Sequence, residues 1–68
     1  MRIWLKDLRV LSELTQAKLA EMAGVDITAI GKYENGERRP TPENAKIIAE
    51  CLNFKEHGFD WTRFFEED

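Results

Sequence analysis

No set of side chains in this sequence assembles a catalyst. His57 is the one histidine and Cys51 the one cysteine, too few ligands to close a zinc site. His57 reads as a flexible loop residue, and Cys51, beside the inward face of a helix, as a small core residue. There is no serine–histidine–acid set, no glycine-rich phosphate loop and no carboxylate pair near a plausible pocket. An enzyme is therefore not expected, nor a cofactor, a bound metal or a small-molecule ligand. A lone cysteine cannot form an internal disulfide, which fits a reducing cytoplasm. The chemistry left is that of charge.

Ten Lys or Arg against thirteen Asp or Glu give a net charge of −3. Taken alone, that sign opposes binding to nucleic acid, since phosphate contacts need positive charge. The charge is unevenly spread. Residues 1–46 hold eight basic and seven acidic side chains, a balance of +1, whereas residues 47–68 hold two against six, a balance of −4. The terminal Glu66-Glu67-Asp68 reads as a solvated end. With 68 residues the chain allows one small domain, residues 1–68, and a thin core. No run approaches the ~18 apolar residues of a membrane span, and no charged-then-apolar leader is present.

Several elements must position these groups. Leu5, Leu8 and Leu11 recur at helical spacing and predict a helix from about Ile3 to Ser12. Thr15 caps a second helix, Gln16 to Ala23, with Leu19, Ala20 and Ala23 on one face and Gly24 ending it. Asp26 caps a third, running to Glu34 and stopping at Asn35-Gly36. Thr41-Pro42-Glu43 starts a fourth, which turns Ala45, Ile48, Ala49 and Leu52 inward as far as about Leu52. Asp60 caps a short fifth helix from Trp61 to about Glu66. No alternating strand pattern of useful length appears, so the fold expected is all-α with five helices.

The segment from Gln16 to Asn35 meets the requirements of a helix-turn-helix. Ala20 is small where the two backbones approach, Gly24 makes the turn, and Leu19, Ala23, Val25, Ile30 and Tyr33 fill the angle between the helices. A plain structural hairpin is the bland alternative, but two or three such features would suffice for that.

With these residues the chain resembles the XRE family, the phage Cro-and-repressor-type helix-turn-helix transcriptional regulators. The resemblance runs from Leu5 to Phe65 through LKDLR, LTQAKLAEMAGV, ITAIGKYENGERRPTPE and AKIIAECL, and FDWTRFFEE is similar to the family's closing helix. It implies a compact lambda-repressor-like DNA-binding domain whose third helix enters the major groove. By the same resemblance Ile27, Thr28 and Lys32 face base edges. Thr28 can bond a base or cover a thymine methyl, Lys32 can donate to guanine, and Ile27 offers only an apolar contact. Gln16, Lys18, Asn35, Arg38 and Arg39, with Lys46 beside them, fall at phosphate or backbone contacts. Arg9 and Glu34 match a partly buried ion pair between the first and third helices. The sequence departs from the family in the acidic Asp26 and Glu37 near the DNA face and in apolar Val10 and Leu11. Its Asn53–Gly58 connection is also longer than a tight turn requires.

Phe54, Phe59, Trp61, Phe64 and Phe65 crowd the last fifteen residues. Two or three of them are expected to cover the open end of the bundle, and exposed aromatics tend to mark interfaces. The resemblance implies pairing of two copies there, through Trp61, Phe64 and Phe65, with residues 59–66 as a packing and dimerisation helix. The function implied is a repressor of phage or mobile-element type, acting as a cytoplasmic homodimer on a palindromic operator in double-stranded DNA. A protein-interaction module on the same scaffold, antitoxin-like or anti-repressor-like, is the alternative that Asp26, Glu37 and the acidic end motivate.

Overall fold

Capping side chains decide where three of the four α-helices begin. In a computed structural model, which describes residues 2–66, α1 (Ile3–Leu11) starts without a side-chain cap. Thr15 Oγ1 accepts the Lys18 amide at 3.0 Å and opens α2 (Gln16–Ala23). Asp26 Oδ1 accepts the Thr28 amide at 3.0 Å and opens α3 (Ile27–Asn35). Thr41 Oγ1 accepts the Asn44 amide at 3.2 Å, with Pro42 pre-set for the first turn of α4 (Pro42–Cys51). Gly24 and Gly36 close α2 and α3 at φ +72° and +78°, a region where a Cβ would strain the backbone.

The steep α2–α3 angle is filled by Leu19, Ala20, Ala23, Ile30 and Tyr33, all buried. Leu5 and Leu8 of α1, Ala45 and Ile48 of α4, and Leu52 just beyond it complete the aliphatic core. Ala49 and Cys51 are only half-buried. Burial pushes the Cys51 thiol above its ordinary pKa, and neighbouring Glu50 adds to the shift. Leu11 is not part of the core: it is 69% exposed. A three-residue step falls about 60° short of a full turn, so after two steps from Leu5 the side chain has rotated off the buried face.

The fifth helix expected from Asp60 forms, but as a tight 3-10 helix, Trp61–Phe65, and another 3-10 helix, Phe54–His57, fills the connection before it. The reason lies in two buried rings. Phe54 and Phe64 are both fully inside, 5.7 Å apart, and Trp4 from α1 sits 5.8 Å from the first and 5.3 Å from the second. Short tight turns bring both phenylalanines onto Trp4 within few residues. Asp60 accepts from the Thr62 amide and from the Thr62 hydroxyl, which holds its carboxyl below the usual range. Of the expected solvated end, Glu67 and Asp68 lie outside the described residues. Among the described residues there is no strand, and no helix is long and apolar enough to cross a membrane.

Candidate nucleic-acid interface

The outward side of α3 is set by what its inward side buries. Ile30, Tyr33 and Glu34 face the core, which leaves Ile27, Thr28, Gly31, Lys32 and Asn35 toward the opposite side. Together with Gln16 from the start of α2 and Glu37 from the loop, these residues line one open depression of about 390 Å³. Ile27 is 47% exposed, an apolar side chain left in water where a contacting surface would cover it. A Cβ added at Gly31 would meet nothing within 4 Å, so the depression is open along the helix. The expected base-facing residues Ile27, Thr28 and Lys32 thus sit beside Gln16 and Asn35.

Behind this surface lies a buried polar network. Arg9 Nε donates to Glu34 Oε2 at 2.6 Å, and Arg9 Nη2 to Glu34 Oε1 at 3.4 Å. The two side chains are 11% and 5% exposed. Arg9 Nη1 donates to the Leu14 carbonyl at 2.8 Å, which ties α1 to the segment before α2. Gln16 Nε2 donates to Glu34 Oε1 at 3.1 Å. An ionised carboxylate only accepts, so this bond fixes which end of the Gln16 amide turns inward.

The cations fall in different settings. Lys18 is exposed and pairs with Glu21 at 3.5 Å, one turn along α2. Arg38 is exposed, and its carbonyl accepts from Arg2 Nη1 at 2.7 Å. The Arg39 guanidinium lies over the Phe65 ring at 5.7 Å, and Lys46 Nζ over the Trp61 ring at 5.0 Å. These two cations rest on aromatic faces at the C-terminal end, apart from the residues lining the depression. Asp26 stays exposed with its carboxylate engaged as the α3 cap.

Arg2 escapes the sequence reading, and Glu37, read there only as a negative charge near the DNA face, proves to line the depression itself. Arg2 is buried, and its Nη1 donates to the Tyr33 carbonyl at 2.6 Å as well as to Arg38. Its backbone amide donates to the Glu34 carbonyl at 2.7 Å. A charged residue next to the chain start carries no pattern that foretells such a place. Glu37 had a usable signal. The Asn35-Gly36 helix end turns the chain back, and the Glu37 amide donates to the Lys32 carbonyl at 3.0 Å, which brings the loop beside α3. Of the three aromatics expected to pair two copies, Phe64 is corrected: it is fully buried and offers no surface. Trp61 is half-buried and Phe65 is exposed, with ring centroids 5.9 Å apart.

A family model described as helix-turn-helix matches residues 5–59. Over 67 residues the chain is 40% identical to the uncharacterized HTH-type transcriptional regulator YqaF of Bacillus subtilis, covering 98% of this chain and 82% of that protein. It is 47% identical over 38 residues to the cryptic phage CTXphi transcriptional repressor RstR of Vibrio cholerae, covering 56% of this chain and 34% of that protein. No solved structure gives a significant match.

Proposed function

The chain belongs to the helix-turn-helix family, of XRE type, and from that membership we propose that it is a DNA-binding transcriptional regulator that represses from an operator. The observation that carries the proposal is the single depression that gathers Gln16, Ile27, Thr28, Lys32 and Asn35 on the solvent side of α3. Amides, a hydroxyl, an ammonium and an apolar side chain, gathered along the outer side of a recognition helix and at the start of the helix before it, match the donors, acceptors and methyl groups of a major-groove edge. Ile27, Thr28 and Lys32 read bases. Gln16, Lys18, Asn35, Arg38 and Arg39 hold the backbone, and Arg9 with Glu34 holds α1 against α3. Residues 1–68 act as one DNA-reading domain in the cytoplasm.

The regulator binds as a weak homodimer on a palindromic operator, of the kind used by phages and mobile elements. Trp61 and Phe65 form the pairing surface, with residues 59–66 as its segment. Trp61 also lines an apolar depression of about 440 Å³ with Ala49, Phe54 and Phe59, which favours a contact at this end. The described residues span 25 × 25 × 21 Å, so two copies can lie with their centres ~34 Å apart, the spacing of successive major grooves on one DNA face, without overlapping.

A gel shift over random duplexes at low salt tests the regulator. It should enrich a repeated site, and no enrichment would leave the protein-interaction alternative standing. On the enriched site, Lys32→Ala should cost about 1–3 kcal/mol at one base position. Equal loss on every sequence would make Lys32 a phosphate contact instead. Light scattering that shows only monomer, with footprints over a single half-site, would remove the homodimer.

A further inference from the structure

Glu37 is out of place on a surface that meets phosphates, yet it lines the same depression as Lys32, Thr28 and Gln16. Its backbone is held there: the Glu37 amide donates to the Lys32 carbonyl at 3.0 Å and the Gly36 amide to the Tyr33 carbonyl at 3.3 Å. The carboxylate is exposed. Neither it nor the Lys32 ammonium has an ion-pair or hydrogen-bond partner among the described residues. An ammonium and a carboxylate therefore line one depression without forming an ion pair.

Resting on the DNA reading above, we propose that Lys32 and Glu37 together read one G·C base pair, with Glu37 the specificity-determining residue for its orientation. The argument is one of donors and acceptors. An ionised carboxylate can only accept, and the major-groove edges offer it only the exocyclic amines, N4 of cytosine and N6 of adenine. Lysine can only donate, and guanine offers it N7 and O6. Read across the groove, a G·C pair presents acceptor, acceptor, donor, which the ammonium and the carboxylate match in that order. An A·T pair in the same place sets the thymine O4 against the carboxylate. The reversed C·G pair sets the cytosine amine against the ammonium. Both of these put like against like, whereas a T·A pair keeps thymine O4 for the ammonium and adenine N6 for the carboxylate and loses only the guanine N7 acceptor. The pair therefore selects by repulsion against A·T and C·G and by one lost acceptor against T·A.

Binding selection from a random duplex pool, followed by competition between duplexes that differ at single positions, tests the assignment. The proteins are wild type, Lys32→Ala, Glu37→Ala and Glu37→Gln. Because Glu37 is exposed and its side chain makes no hydrogen bond or ion pair among the described residues, unchanged thermal unfolding of its variants verifies that they fold. Wild type should prefer G·C over A·T about ten-fold at one position of each half-site. Lys32→Ala and Glu37→Ala should weaken that preference at the same base pair, Glu37→Ala by at least about three-fold even as it raises overall affinity by removing a negative charge. Glu37→Gln, whose amide both donates and accepts, should tolerate either partner there. If Glu37→Ala tightens every duplex by one factor and leaves the preference intact, Glu37 only repels DNA and the assignment falls. It also falls if the Lys32 and Glu37 effects map to different base pairs. A pool that yields no enriched site overturns the DNA reading itself, a result distinct from either of these.

Discussion

Replacing Arg9 by methionine leaves the Glu34 carboxylate, 5% exposed, with Gln16 Nε2 at 3.1 Å as its remaining side-chain donor. The Arg9 bonds at 2.6 and 3.4 Å disappear, and with them the positive charge that pairs with Glu34 among the described residues. Breaking a buried pair by removing one partner typically costs about 3–5 kcal/mol, because the other charge stays desolvated. A chain of this length holds roughly 3–10 kcal/mol in all, so Arg9→Met should remove a third of the stability or more. With a urea slope of about 1 kcal/mol/M for so small a domain, the midpoint should fall by about 3 M or the protein should be unfolded without urea. The double change Arg9→Met with Glu34→Leu removes both charges together. It should recover most of the loss, leaving a deficit of about 1–2 kcal/mol for the donor taken from the Leu14 carbonyl and the acceptor taken from Gln16. A single variant whose midpoint moves by less than about 1 M, or a double variant no more stable than the single one, would refute the reasoning.

Three further outcomes follow from the packing. Phe64→Ala should cost about 3–5 kcal/mol in urea unfolding, since the ring is fully buried against Trp4 and Phe54. Phe65→Ala should cost less than about 1 kcal/mol, and comparable losses at the two sites would contradict their different burial. Gly24→Ala should cost about 1–2 kcal/mol, because the left-handed backbone at φ +72° resists a side chain although a Cβ would meet nothing within 4 Å. Asp60 is held ionised by the Thr62 hydroxyl, then by the Thr62 amide. Its contribution is therefore complete above the ordinary aspartate range and lost as pH falls through the lowered folded value. Asp60→Asn should flatten that acid-side loss in a stability-against-pH series. A wild-type advantage that stays constant into strong acid would contradict the role.

The helices were legible because their ends are written in side chains. Thr15, Asp26, Thr41 and Asp60 each cap the element that follows, and Gly24 and Gly36 take the left-handed conformation that ends α2 and α3. Local chemistry of this kind depends on neighbours in sequence, so sequence alone carries it. The aromatic core was less legible. Trp4 belongs with Phe54, Phe59 and Phe64, a contact between opposite ends of the chain that no short-range pattern records. The 3-10 geometry of the last turns follows from those contacts rather than from helix propensity. At the candidate site, the side chains on α3 follow from helical period once Ile30 and Tyr33 are placed inward. Gln16 and Glu37 join them only through the α2–α3 angle and the turn at Gly36. Arg2 was hidden altogether: it donates to the Tyr33 and Arg38 carbonyls, which are invisible in a sequence of side chains, and its guanidinium lies over the Phe64 ring at the far end of the chain.

The opposition between a net charge of −3 and a DNA-reading surface is most directly tested by the salt dependence of binding to a selected duplex. With Lys18, Arg38 and Arg39 as the proposed phosphate contacts, each copy would bring three cations to the duplex. At a slope of roughly −0.9 per neutralised phosphate, log affinity against log salt should fall with a slope near −5 for two copies on one site. A steep slope with protection of two half-sites one helical turn apart is the predicted result. Binding that is indifferent to salt, or no duplex selected above the random pool, would contradict the account.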